Sequence, residues 1–310
     1  MRSILSKRLV FVTGKGGVGK TTLATALVRL AAASGKRALL IEVDTDAYAG
    51  PLFGGVKVGF APVQVGPGMW ACALERQPCM SAFVHRFVPS RRVADLVMSN
   101  KLANIFFEAA PSVMEAVIAD QIGQLVLHTT PGWDFVVVDL PASGHAVTFL
   151  DVPRSMVQMV RVGELARHMS ELATLFGDAS RAELVLVSLP EEMSVNETLE
   201  LFEKTKKRIQ TPVRHVFLNG LRHAKSTQED AMQLDAYAAT LDDPNAAAVV
   251  ARLAYGARIG DFWRQQDADA LQRLHKESAL TTVEIPFVYD KVDDADLSRR
   301  MAAAIGGAHV

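Results

Sequence analysis

The chain has 310 residues, 49% hydrophobic and 22% charged, so it can bury a sizeable core without disulfides at a length near the upper limit for one core. Lys and Arg total 33 against 34 Asp and Glu, which lacks the basic excess of a general nucleic-acid binder. Two cysteines exclude a disulfide framework and most structural zinc sites within one chain. Apolar runs break well before the roughly 18 residues of a membrane span, and the N-terminal stretch has no signal-peptide pattern, so a reduced, cytoplasmic protein is expected.

The first predicted strand, Arg8–Thr13, is short and β-branched. It runs into Gly14-Lys15-Gly16-Gly17-Val18-Gly19-Lys20-Thr21-Thr22, which fits G-x-x-x-x-G-K-[ST] and opens a predicted helix, Thr21–Ala33. Strand before and helix after is the context this phosphate-binding motif requires. Glycines let the backbone wrap a phosphate with its N–H groups inward, and the helix N-terminus adds partial positive charge. Lys20 would neutralise the β and γ phosphates of ATP, and the Thr21 hydroxyl would ligate Mg²⁺. Lys15 is a second lysine that such a loop does not itself need. It is either a solvated loop residue or a cation that reaches across a dimer interface to a partner's nucleotide, as an arginine finger does.

A second predicted strand, Arg37–Val43, ends beside Asp44 and Asp46, either of which would accept a hydrogen bond from an attacking water. A third, Met69–Leu74, carries Cys72. Residues 80–130 show no convincing buried strand and are expected to form a helical insertion on the sheet's edge. Phe135–Leu140 is nearly all apolar around Asp139, which resembles a Walker B aspartate holding Mg²⁺. Val162, Leu165, Ala166, Met169, Leu172, Ala173 and Phe176 mark one face of a helix stopping at Gly177. Strands Leu184–Leu189, Val213–Leu218 and Thr281–Phe287 follow, with a charged helical stretch, Gln228–Glu277, before the last. Strands apolar throughout and alternating with helices predict an α/β fold. The expectation is a mostly parallel, doubly wound sheet of the P-loop NTPase type, as one domain over residues 1–310.

The loop Gly14–Thr22 resembles the deviant Walker A motif of the ParA, MinD, nitrogenase iron protein and arsenite-pump ATPase group. Asp139-Leu140-Pro141-Ala142-Ser143-Gly144-His145 is similar to the D-T-A-P-T-G-H segment of the arsenite-pump ATPase family, with its proline one place earlier. That family includes the tail-anchored-protein targeting ATPase. Further resemblances in the same order extend the match over about residues 7–290: Ala109-Ala110-Pro111, Ser188–Glu192, Asn196–Leu199, Phe217–Gly220 and Ile285–Phe287.

The resemblance implies a Mg²⁺-dependent ATP hydrolase working as a homodimer, or as a heterodimer with a paralogue, with nucleotide at the interface. Gly14, Gly16, Gly17, Val18, Gly19, Lys20, Thr21 and Thr22 would hold the phosphates. Spacing in the family favours Asp44 over Asp46 as the residue orienting water. Gly144 and His145 would belong to switch II, Asn219 would contact adenine, and Pro286 and Phe287 would pack beside the base. The nucleotide cycle would switch a helical surface for a client apolar helix or a membrane partner, with no nucleic acid expected.

Departures narrow this picture. Cys72 and Cys79 alone cannot supply a three-cysteine arsenite site, and the C-x-x-C of an interface zinc clamp is missing. Met80, Met98, Met114, Met156, Met159 and Met169 suit either a client groove or a packed core, with the face around Met169 favouring core. A spatial organiser of the ParA or MinD type, or one subunit of a paralogous pair, are the alternatives. The C-terminal stretch Asp293–Val310 is a poor membrane anchor.

Overall fold

Four strands are buried at every residue: Leu9–Gly14 (β1), Ala38–Val43 (β2), Phe135–Asp139 (β5) and Ala182–Ser188 (β6). Their sequences leave no polar face, so only a sheet covered on both sides can hold them. The computed structural model describes residues 2–43, 48–88, 90–100, 112–160 and 162–307. It places these four strands side by side at the centre of an eight-stranded sheet, in the order β3-β4-β2-β5-β1-β6-β7-β8. Met69–Leu74 (β4), Val213–Leu221 (β7) and Thr281–Pro286 (β8) join in parallel.

The exception is Val63–Gly66 (β3), which pairs antiparallel with β4 at the edge. Its four residues, of which only Val65 is buried, carry too weak a pattern to predict. Its hairpin turns through Gly68 at φ 70°, a left-handed angle that suits glycine.

Alternation along the strands divides the core into two layers. Leu9 and Phe11 point into one, and Val10 and Val12 into the other. The second layer is covered by helix Lys20–Ala33 and by helix Asp294–Gly307, whose Met301, Ala302 and Ile305 are buried. The first is covered by helices Val113–Leu127, Ser143–Met159, Glu164–Gly177 and Glu192–Arg208.

The stretch expected as a helical insertion contains helices Arg76–Phe87, Arg91–Ser99 and Val113–Leu127. Val117, Ile118 and Ile122 of the last are core residues, so this helix, which follows β4 and precedes β5 along the chain, helps cover the sheet. Residues 101–111, with the Ala109-Ala110-Pro111 segment, lie outside the described residues.

The helix face read from the sequence needs one correction. Met169, Leu172 and Phe176 are buried, but Val162 precedes the helix and is 84% exposed. Gly163, at φ 99°, breaks the chain between them. Met80, Met114 and Met169 are core residues, whereas Met159 is exposed, so most of these thioethers serve packing. Cys72 and Cys79 are buried free thiols. Among the described residues no helix is long and apolar enough to cross a membrane.

Helix Glu164–Gly177 is tied to the central strand by an edge-on contact of Phe176 with Phe11, ring centroids 4.8 Å apart. Truncation there leaves a cavity between layer and sheet. Phe176→Ala should lower unfolding free energy by about 3–5 kcal/mol in urea titrations. A loss below about 1 kcal/mol would contradict this packing.

Candidate functional site

The site is built where β1 ends. Gly14 must be glycine because a Cβ there would run into the Val187 carbonyl of neighbouring β6. At Gly19, φ 91°, a Cβ would lie 2.6 Å from Asn219 Nδ2. Gly19 also caps helix Lys20–Ala33 with no side-chain acceptor, so the first helical amides are left to the loop and to whatever it holds.

One side chain of the helix's first turn bonds β5 and its neighbour folds back onto the loop. The Thr21 hydroxyl donates to Asp139 Oδ2 at 2.5 Å, and Lys20 Nζ donates to the Lys15 carbonyl at 2.9 Å. Burial pulls the Lys20 ammonium below its usual range, with Asp139 opposing. Burial likewise pushes the Asp139 carboxyl up to about 6, against the Thr21 hydrogen bond and Lys20. Asp139 Oδ1 is buried without a hydrogen-bond partner. A free carboxylate oxygen beside a hydroxyl is the hard oxygen donor set that Mg²⁺ takes, so these residues fit that ion.

One strand further out, Glu42 lies in register with Asp139. Its Oε1 accepts from the Ala49 amide at 2.9 Å, while Oε2 is buried and unpaired. Burial pushes this carboxyl up to about 7, the Ala49 bond pulls it down, and Asp139 raises it further. Sequence reasoning overlooked Glu42. Its signal was an acid inside the otherwise apolar strand ALLIEV.

Lys15 projects from the loop to Glu197 on helix Glu192–Arg208, Nζ to Oε1 2.8 Å. A cavity of about 380 Å³ opens beside the loop, lined by Gly17, Gly19, Thr22, Asn219, Pro286 and Phe287. Asn219 Nδ2 donates to the Val18 carbonyl at 2.9 Å, tying the end of β7 to the loop. Phe287 stands edge-on to Tyr289 with centroids 4.9 Å apart. Arg300, from helix Asp294–Gly307, also lines this cavity, and no motif pointed to it.

The remaining expected residues are placed differently. Thr13 Oγ1 donates to the Pro141 carbonyl at 3.1 Å, anchoring the segment after Asp139. Gly144 sits in the first turn of helix Ser143–Met159, where an added Cβ would meet nothing. His145 lines a separate cavity of about 140 Å³ with Arg76, Met114, Glu115, Pro141 and Phe149. Gly16 is open to solvent space on all sides. Asp44 and its competitor Asp46 lie outside the described residues, between Val43 and Tyr48.

Comparison with known proteins adds an independent line. The profile of the anion-transporting ATPase family matches residues 7–178. The ATPase BagA of Mycobacterium tuberculosis is 27% identical over 223 residues, covering 68% of this chain and 64% of that protein. An ATPase ASNA1 homolog of Paramecium tetraurelia is 26% identical over 168 residues, 54% of this chain and 50% of its own length. The arsenical pump-driving ATPase of Acidiphilium multivorum is 23% identical over 242 residues, 72% and 41% respectively. The match therefore spans less than two thirds of each of these relatives.

The buried carboxyls set a pH dependence. A carboxyl whose folded value is raised contributes stability that is complete below its ordinary value of 4.5 and lost as pH rises through about 7. Without nucleotide or Mg²⁺, Glu42→Gln should match the unsubstituted chain near pH 4.5 and exceed its stability at pH 8 by about 2–3 kcal/mol. Denaturant titrations at the two pH values check this. Equal stability of the two chains at pH 8 would remove Glu42 as the cause.

Proposed function

Because the chain belongs to the anion-transporting ATPase family, we propose that it hydrolyses ATP with Mg²⁺ at the interface of two subunits. The nucleotide cycle then switches a helical surface for a client or membrane partner. One observation carries this reading. The phosphate loop, the Thr21–Asp139 bond and a base-sized cavity adjoin one another at the carboxyl end of the parallel strands.

In this reading the loop amides and Lys20 hold the β and γ phosphates, and Thr21 and Asp139 hold Mg²⁺. When bound, that ion neutralises charge on the phosphate oxygens. Asn219 contacts the base edge, where its side-chain oxygen remains as an acceptor while the amide nitrogen binds Val18. Pro286 and Phe287 supply the apolar wall of that cavity. Asp44 aligns water for attack on the γ phosphorus, releasing ADP and phosphate. Gly144 and His145 form the switch II segment that follows Asp139.

Lys15 acts on the partner's nucleotide, the partner being a second copy or a paralogue. Before pairing, Glu197 holds Lys15 within its own subunit, so pairing exchanges one carboxylate contact for the partner's phosphates. The alternative of a membrane-anchored organiser gains no support from helix Asp294–Gly307, whose apolar face is buried against Lys20–Ala33.

The purified chain should hydrolyse ATP with Mg²⁺, and Lys20→Ala should reduce turnover by roughly 10²–10³-fold. Asp44→Asn should accumulate an ATP-bound dimer by light scattering. Unchanged turnover in Asp44→Asn would sink its assignment. Lys15→Ala should lower kcat while ATP still binds, and Glu197→Ala should ease dimer formation with ATP. A dimer equilibrium insensitive to Glu197→Ala would remove the intrasubunit restraint. Turnover only on adding a paralogous chain would identify the working unit as mixed.

A further inference from the structure

Away from the phosphate loop, on the core layer that covers one face of the sheet, two helices bring three metal-binding side chains together. His128 ends helix Val113–Leu127, which leads into the start of β5. His168 and Glu171 lie three residues apart on helix Glu164–Gly177, hence on one face of it. The donor atoms of all three lie within 4.8 Å of one another. The imidazoles of His128 and His168 are stacked, centroids 5.7 Å apart.

We propose that His128, His168 and Glu171 form a binding site for a borderline divalent transition ion, Zn²⁺, that clips the two helices together. Two imidazoles and one carboxylate, with a position left for water, are a donor set that zinc takes.

The support behind His168 is the reason to read more than proximity into the cluster. His168 is 7% exposed, and its Nε2 lies 3.1 Å from Oδ1 of Asp120, which is 1% exposed. Asp120 is paired in turn with Arg86. A carboxylate this close to one ring nitrogen favours the proton there and leaves the lone pair on the other, the arrangement that orients and strengthens a histidine ligand. The side-chain nitrogen of Gln124 lies 3.3 Å from the same Nε2, their donor and acceptor roles set by the ring's tautomer. The free nitrogen, Nδ1, then lies on the Glu171 side, 3.9 Å from Oε2.

His128 and Glu171 are exposed, so their side chains can close the roughly 1–1.5 Å that separates the present spacing from donors sharing one ion. The three residues open into a cavity of about 340 Å³, which leaves room for a water on the metal. Arg86 and Arg167 line that cavity and oppose a cation; Asp120, paired with Arg86, and Glu164, one turn from Arg167, offset them.

The test uses the full chain, freed of metal by chelation and without nucleotide, titrated with Zn²⁺ in a calorimeter. Saturable binding of one ion per chain at micromolar affinity or tighter is expected. His128→Ala combined with Glu171→Gln changes only exposed side chains, and should weaken binding at least tenfold with unchanged circular dichroism. Asp120→Asn should weaken it by roughly 10–100-fold while leaving the three ligands in place. Co²⁺ in place of Zn²⁺ should give a nitrogen and oxygen ligand-field spectrum with no thiolate charge-transfer band. Absence of saturable binding, equal affinity in the double variant, or a thiolate band that places the ion at Cys72 and Cys79 would each overturn the site.

Discussion

The short bond from the Thr21 hydroxyl to the Asp139 carboxylate is the constraint on which the candidate nucleotide site depends. It ties the first turn of the loop helix to the carboxyl end of β5, across the strand boundary where β1 gives way to the loop. With it made, Lys20 is drawn into a half-buried position beside a carboxyl. Gly14 is pressed against a β6 carbonyl and Gly19 against Asn219 of β7, so the two strands on one side of β1 shape the ends of the loop. A loop held at both ends has less entropy to lose on ordering around a ligand, while Gly16 and Gly17 between them stay uncrowded.

The apolar centre of the sheet makes this placement costly as well as rigid. Glu42 and Asp139 end neighbouring strands with one carboxylate oxygen each left unpaired, and burial raises the carboxyls of both. Such unpaired buried oxygens are rarely retained without a ligand or solvent to satisfy them. At Asp139 the missing partner has the character of a hard cation, as the proposed Mg²⁺ would supply. Lys15 shows the same logic on the surface. Its ammonium is satisfied by Glu197 within one subunit, and a competing anion must offer more than that single exposed carboxylate.

How much of this was legible in the sequence varies by residue. The loop and its flanking elements were readable because glycine spacing, a β-branched run and a helix pattern occupy adjacent positions. The central strands were readable because a strand covered on both faces is apolar at every residue. Val63–Gly66 was not, since an edge strand of four residues with a single buried one has too little length for its pattern to register. Val162 was misjudged because helical spacing does not register a left-handed glycine directly after it. Glu42 was overlooked because the cost of burying a carboxyl depends on neighbours contributed by other strands.

The sequence alone determined the family, the parallel α/β class and the phosphate loop, because those depend on local spacing and on short motifs read in order. The tertiary structure decided what those motifs face: Asn219 and Phe287 line one cavity with Gly19 from 200 and 268 residues downstream, and His145 turns to a different cavity from the loop. It also decided that Met169 serves the core and that His168 is backed by Asp120 and Arg86. Periodicity records which face of an element is apolar. Only packing chooses the neighbour that face meets, and the chemistry of these sites lies in that choice of neighbour.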